Sequence, residues 1–432
     1  MVFSSYLFLF YFLPIALLLY YAAPRRGRHL VLTLLSYLFY GWANPLFVVL
    51  LFISTAIDFA AGLVIASGGR ARRGALIASI VSNLSLLGFF KYYNFGARSI
   101  DAVAAWLGMA DPGLDAVLRV TLPLGISFYT FQSMSYTIDV YRGRAAAIRH
   151  FVDFACFVSM FPQLVAGPII RFSEIADQLQ SRSHTTTKFA RGVAFFSLGL
   201  AKKILLANPC GKVADLAFEA GSLGALEAWY GVTAYAFQIY FDFSGYSDMA
   251  IGLGLMFGFV FAKNFDSPYL SQSITEFWHR WHISLSTWLR DYLYVPLGGS
   301  RRGRARTYVN LLIVMLLGGL WHGASWNFVI WGGLHGLLLA AERLRGKRAL
   351  YGNLPAPIRT AITFTVVLVT WVFFRSPDLP HALRYLGDMF AVAPVSAAAG
   401  LLAGVVYQPY YAATFAAAAV IVWSAPQTWD WT

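Results

Sequence analysis

The sequence predicts an all-α, polytopic membrane protein of about ten to twelve helical segments, several of them broken or re-entrant. Three observations carry that prediction. Of the 432 residues, 58% are apolar and 17% aromatic, while only 12% are charged. A soluble domain carries roughly twice that charged fraction. Apolar runs long enough to cross ~30 Å of hydrocarbon recur along the whole chain. The net charge of +13 is gathered into short loops between those runs, at 24–29, 68–74, 141–144, 299–308 and 342–348. Basic loops beside apolar segments are the positive-inside signal, and no soluble domain is there to present a nucleic-acid-binding face.

The segments follow in order. Residues 3–22 read as an uncleaved first span entering from outside, because arginines rather than a small-residue cleavage site follow it. Arg25, Arg26 and Arg28 then lie on the cytoplasmic side. The run 30–66 is too long for one crossing and has basic loops at both ends. It must go in and come back, turning near Asn44-Pro45 in "GWANP". Further segments are expected at 75–95, 116–140, 150–170, 190–207 and 227–262, then at 309–341, 357–375 and 399–424. The run 309–341 repeats the logic of 30–66, with a break near Gly323-Ala324-Ser325. Helical rise from Val309 to His322 amounts to about 20 Å, so the imidazole sits at bilayer depth. Irregular backbone there must be buried in protein or line a wet cavity, and an ionisable group at that depth is expensive. No heptad, solenoid period or low-complexity tail divides the chain, so residues 1–432 read as a single domain.

Three stretches carry polar side chains into this apolar background. "TEFWHRWHISLSTWLRDYLYVPLGG" (275–299) is too polar to span and too aromatic for a solvated loop. On one continuous helix its His279 and His282 would be i,i+3 neighbours beside a broad apolar face. Two such histidines supply only two metal ligands, so no metal is expected. "YFDFSGYSDMAIGLGLMFG" (240–258) holds Asp242, Tyr246 and Asp248, with Gly254 and Gly258 at GxxxG spacing. Buried carboxylates must be paired, so these either lock helices to an arginine or backbone donors, or line a polar cavity. "FPQLVAGPIIRF" (161–172) and "LPLGISFYTFQSMSYTIDVYRG" (122–143) read as broken helices. His335 does not share a helical face with His322, while His29, His150, His184 and His381 fall near segment ends and read as solvated. Cys156 and Cys210 form no C-x-x-C pair, which excludes a disulfide scaffold or a cysteine zinc site.

Taken together, "VFSSYLFLFYFLP", "LPLGISFYTFQSMSYTIDVYRG", "YFDFSGYSDMAIGLGLMFGF", "NFDSPYLSQSITEFWHRWHISLSTWLRDYLYVPLGG" and "NLLIVMLLGGLWHGASWNFVIWGGLHG" resemble the membrane-bound O-acyltransferases. The likeness is to their alginate O-acetyltransferase branch and runs to about residue 375. It implies a ring of helices around a central funnel or tunnel, a catalytic His322 in "LWHGASWN", and a second functional residue at His282 in "RWHISLS". It also implies acetyl-CoA as a cytoplasmic donor substrate, with no bound cofactor, and transfer of acetyl groups across the bacterial inner membrane. The expected partners are a periplasmic SGNH-type acetyltransferase and the polysaccharide synthesis machinery. The sequence departs from the branch at His279, where arginine is expected.

Neutral imidazole at near-neutral pKa suits a general base that frees an attacking hydroxyl, so His322 is assigned that role. His282 would orient a substrate or stabilise charge. Trp321, Asn327, Tyr246 and Asp248 are candidates for the tunnel wall, and Arg301, Arg302 and Arg304 for attracting CoA phosphates. Two other functions fit less of the pattern: D-alanyl transfer to another envelope polymer, and transport of a polysaccharide or lipid.

Overall fold

In a computed structural model the chain is helical, with no strand among the described residues, which are 1–42, 44–109, 113–165, 167–346, 349–392 and 403–431. Parts of four expected features lie outside them: Ala43 of "GWANP", Ala166 of the 161–172 stretch, Lys347 and Arg348 of the last basic cluster, and residues 399–402. The chain packs as two compact units, residues 1–193 with 250–262, and residues 194–249 with 263–432.

The first unit contains α1 (Leu13–Ala22), α2 (Arg28–Gly41), α3 (Leu46–Ala66), α4 (Arg72–Trp106), α5 (Ile126–Tyr141), α6 (Phe151–Ser159) and α7 (Phe172–Gln180). The expected turn within 30–66 is present between α2 and α3. Asn44 Oδ1 accepts from the Leu46 amide at 3.0 Å, satisfying a donor at the start of α3. The expected segment 116–140 begins later, at Ile126. A single helical turn, Leu114–Val117, precedes it, and Pro123 and the left-handed Gly125 (φ 76°) keep the two apart. Asp58 of α3 is fully buried and is held by Ser79 Oγ at 2.6 Å, by Asn83 Nδ2 at 2.7 Å, and by Ser133. Those hydroxyl and amide donors tie α3 to α4 and α5, as a buried carboxylate requires.

His29 and His184 are not simply solvated. His29 Nδ1 lies 2.5 Å from an Asp153 carboxylate oxygen and its Nε2 lies 2.6 Å from Arg182. His184 Nε2 lies 2.9 Å from the Tyr20 hydroxyl. Folding brings the loop after α7 back onto α1 and α2, which sequence position alone does not reveal.

The second unit contains α9 (Asn208–Glu219), α11 (Ile274–Arg280), α12 (Ile283–Leu289), α13 (Arg304–His322), α14 (Trp326–Leu344), α15 (Ala356–Arg375), α16 (Leu379–Met389) and α17 (Pro409–Ser424). Two further helices, α8 (Thr186–Ala201) and α10 (Ala225–Met256), contribute to both units. A π-helical turn, Lys202–Ala207, follows α8. It presents Lys203 to Asp242 at 2.8 Å and Lys202 to Asp248 at 2.7 Å. Thr428 Oγ1 also lies 2.7 Å from the Asp248 carboxylate. The carboxylates of the 240–258 stretch are thus locked by lysines, not by the arginine or backbone donors expected. The GxxxG pair does not form a helix contact either. Gly254 instead leaves room for the Phe261 ring, 2.6 Å from where its β-carbon would stand.

Among the described residues three helices, α3, α4 and α15, are long and apolar enough to cross a membrane. Helices α13 and α14, 19 residues each, also have crossing length, with polar side chains interspersed.

Candidate active site

The site grows out of the α13–α14 hairpin in the second unit. Helix α13 ends at His322 because Gly323 is extended (φ −161°, ψ 148°), and Ser325 is extended before α14 begins at Trp326. The expected break at 323–325 is therefore real. The two helices pack backbone to backbone. A β-carbon on Gly319 would lie 2.2 Å from the Phe328 carbonyl oxygen, and one on Gly332 would lie 2.3 Å from that of Met315. Any side chain at either position would push the helices apart. His322 is half-buried at the end of this close-packed rod.

Three aromatic rings enclose it. Trp321, Trp331 and Phe374 meet the imidazole edge to face, with centroids at 5.0, 5.3 and 5.2 Å. Trp331 also packs on Phe374 at 5.0 Å and stacks on Trp371 at 5.8 Å. Such a cage fixes the ring plane and excludes water from one side of it.

The second histidine arrives from α11 and α12. Ser273 caps α11 by accepting from the Glu276 amide at 3.0 Å. The buried Glu342 carboxylate of α14 accepts from the Ile274 and Thr275 amides, each at 2.8 Å, and from the Thr275 hydroxyl at 2.6 Å. A carboxylate at a helix N-terminus is doubly favoured, by hydrogen bonds and by the helix dipole. Further along α11, Trp278 Nε1–H donates to His335 Nδ1 at 3.2 Å. Indole can only donate, so His335 carries its proton on Nε2, which faces Thr370 Oγ1 at 3.1 Å. His335 is thus a packing histidine between α11, α14 and α15.

These ties pin α11 onto α14 and set the position of His282. The 275–299 stretch is not one continuous helix. It breaks at Trp281-His282, where His282 adopts the left-handed conformation at φ 44°. That is unusual for a residue other than glycine and marks a constraint. Consequently His279 and His282 are not neighbours on a helical face: His279 is exposed, while His282 is buried at 1% exposure. The His282 ring lies 6.2 Å from that of His322, tilted by 56°, and 4.6 Å from Phe243. Neither of its ring nitrogens has a hydrogen-bond partner among the described residues. His282 belongs to a stretch outside the spanning helices. Burial, and secondarily the neighbouring His322, holds its pKa well below the ordinary imidazole range. It is therefore a neutral ring with one donor and one acceptor, beside His322 but not among the residues lining the cavity there.

A cavity of about 340 Å³ is lined by His322 and Trp331. Its walls include Leu285, Leu289, Val314, Met315 and Gly318, and its rim carries His279, Arg290 and Arg343. The lining is mostly apolar, and of its two arginines Arg290 is paired with Asp291 at 2.8 Å. Such a shape suits a ligand with a phosphorylated head and an uncharged arm. Among the described residues no group of three histidine, cysteine or acidic side chains is placed to hold a metal ion.

The other sequence candidates scatter. Trp321 is buried against both histidines. Asn327 is buried in the first turn of α14 and donates to the Ser376 carbonyl at 2.8 Å, tying the hairpin to the end of α15. Tyr246 and Asp248 lie on α10 and are not among the residues lining the cavity; Asp248 is in the Lys202 pair. Arg301, Arg302 and Arg304 are exposed and likewise outside the lining. Sequence reasoning missed Arg290 and Arg343. Arg343 lay inside a basic cluster fully accounted for by the positive-inside rule, and nothing in the local pattern separated it from its neighbours.

An imidazole in an aromatic cage, a second buried imidazole beside it and a cavity that reaches the first make up the candidate active site. The sequence profile of the membrane-bound O-acyltransferase family matches residues 143–376, which include both histidines and most of the cavity wall. The chain belongs to that family and is an acyltransferase of the membrane. It is 50% identical over 394 residues to "Probable alginate O-acetylase AlgI" of Pseudomonas syringae pv. tomato, covering 90% of this chain and 75% of the relative. It is 38% identical over 433 residues to the "Peptidoglycan O-acetyltransferase" of Helicobacter pylori, covering 92% and 81%. A "Teichoic acid D-alanyltransferase" of Streptococcus thermophilus is 29% identical over 296 residues, covering 61% and 71%.

Proposed function

We propose that this protein is an O-acetyltransferase of the bacterial inner membrane. It takes acetyl groups from cytoplasmic acetyl-CoA and moves them across the membrane for O-acetylation of an exopolysaccharide such as alginate. The observation that carries this reading is the pairing of His322, which lines a largely apolar cavity, with His282 beside it. The likeness to proteins named alginate O-acetylase supports the substrate class. In this reading, ten to twelve segments surround a funnel in which donor and acceptor meet, as the family resemblance implies. A periplasmic SGNH-type acetyltransferase and the polysaccharide synthesis machinery are the partners that receive the group.

The chemistry needs little beyond what the site holds. His322 takes the proton of the acceptor hydroxyl as its oxygen attacks the thioester carbonyl. The C–S bond then breaks, and the CoA thiolate leaves with the proton returned by His322. His282 supplies a hydrogen bond to the carbonyl oxygen as charge develops there, an interaction strengthened by the dry surroundings. The donor phosphates meet Arg290 and Arg343 at the rim, and Arg301, Arg302 and Arg304 add a positive field that draws them in. Asn327 ties the α13–α14 hairpin to the end of α15 and Trp321 packs against both histidines, so these two hold the site in shape.

The test is His322→Ala in cells that make the acetylated polymer. We expect the variant to accumulate in the membrane with polymer acetylation abolished. Acetylation at the wild-type level would sink the assignment. A polymer carrying D-alanyl esters in wild-type cells would move the substrate to the D-alanyl reading, which the Streptococcus thermophilus relative makes the next candidate.

A further inference from the structure

The sequence "GGLWHG" places two glycines before His322, and the structure gives them different work. Gly319 is demanded by packing, since its β-carbon would strike the α14 backbone at 2.2 Å. Gly318 is not. A β-carbon there would meet only Leu289 Cδ1, at 3.4 Å, an ordinary contact. Its backbone is helical, so alanine would adopt it without strain and would strengthen the helix. Yet Gly318 is buried and lines the cavity one turn before His322, on the same side of α13. A side chain at 318 would project into the channel immediately below the imidazole. Around it the wall is apolar, formed by Leu285, Leu289, Val314, Met315 and Trp331.

We propose that Gly318 is the sizing position of the acyl passage: the gap left by its missing side chain sets how large an acyl group reaches His322. This rests on the donor reading above and deepens it. An apolar constriction sorts uncharged acyl groups by volume, and a single methylene in such a passage is worth about 10-fold or more in kcat/KM. Trp331 lines the same cavity beside His322, and an acyl group has to share the space at Gly318 to bring its thioester carbonyl to the imidazole.

The experiment compares the full-length wild-type protein with Gly318→Ala and Gly319→Ala, using acetyl-, propionyl- and butyryl-CoA as donors and thermal unfolding as the structural control. The expected result is a Gly318→Ala protein that melts no lower than wild type. Its kcat/KM should fall for every donor, with about 10-fold greater loss for each added methylene. Gly319→Ala should lose melting temperature instead. Unchanged kinetics with all three donors in Gly318→Ala would overturn the proposal. So would a drop in melting temperature matching that of Gly319→Ala, because 318 would then be a packing position. A Gly318→Cys variant reads the passage without any donor, since Cys156 and Cys210 are buried. Small thiosulfonate reagents should label it at least 10-fold faster than bulky ones, and absence of labelling would refute an open passage. If wild type consumed no acyl-CoA while this labelling held, the donor reading would fall and the passage would stand.

Discussion

Replacing His335 by alanine separates packing from chemistry. The imidazole is completely buried and accepts from Trp278 Nε1 while facing Thr370 Oγ1. Its loss removes two hydrogen bonds of about 1 kcal/mol each and strands the indole N–H, a further ~1–3 kcal/mol. The void left behind adds about 1–2 kcal/mol more, giving roughly 4–7 kcal/mol in all. For a unit of this size that corresponds to a melting point lower by roughly 8–28 °C. Glutamine can accept from Trp278 through its carbonyl and donate to Thr370 through its amide, so His335→Gln should recover a substantial part. The assay is thermal unfolding of the detergent-solubilised variants, with acetyl transfer measured per folded molecule. Transfer in His335→Ala should remain far above that of His322→Ala. A His335→Ala protein that melts like wild type would refute the hydrogen-bond reasoning. One that is folded but as inactive as His322→Ala would refute the separation of roles.

Two further outcomes are expected. His282→Asn preserves a residue tolerant of the left-handed backbone and leaves no partner stranded, so acetyl transfer should fall about 10²-fold while the melting point barely moves; wild-type turnover would remove His282 from the chemistry. His184, in the loop between α7 and α8, has its pKa lowered from 6.5 to about 4 by burial, with Arg28 and Arg182 adding to the effect. Its unfolded form binds the proton first, so the stability it contributes is present above pH 6.5 and is lost as pH falls toward 4. Thermal unfolding across that range should show a shallower acid loss in His184→Gln, and an identical slope would count against the assignment.

Much of this site was legible from spacing and depth. Basic loops at both ends of 30–66 and 309–341 required each run to turn back, and both turns are present. The depth of His322 pointed to a cavity, and a cavity reaches it. What stayed hidden depended on contacts between distant segments. The break at His282 follows from Glu342 and His335 holding α11 in place, and those residues lie on α14, more than fifty positions downstream. Helical periodicity therefore made neighbours of His279 and His282, although one is exposed and the other buried. The lysine partners of Asp242 and Asp248 were equally invisible, because a π-helical turn aims Lys202 and Lys203 in directions that ordinary helical spacing does not anticipate.

The clamp of α11 onto α14 also makes the two histidines a single mechanical part. One histidine ends the first arm of the hairpin, and the other is carried by an element bolted to the second arm. Since those arms touch through bare backbone, they cannot slide or splay without breaking the rod, so any motion of the hairpin carries both rings together. The stretch 273–344 thus behaves as an inheritable cartridge. A displacement of either arm is therefore felt by both rings at once, and the distance between the two imidazoles stays the same.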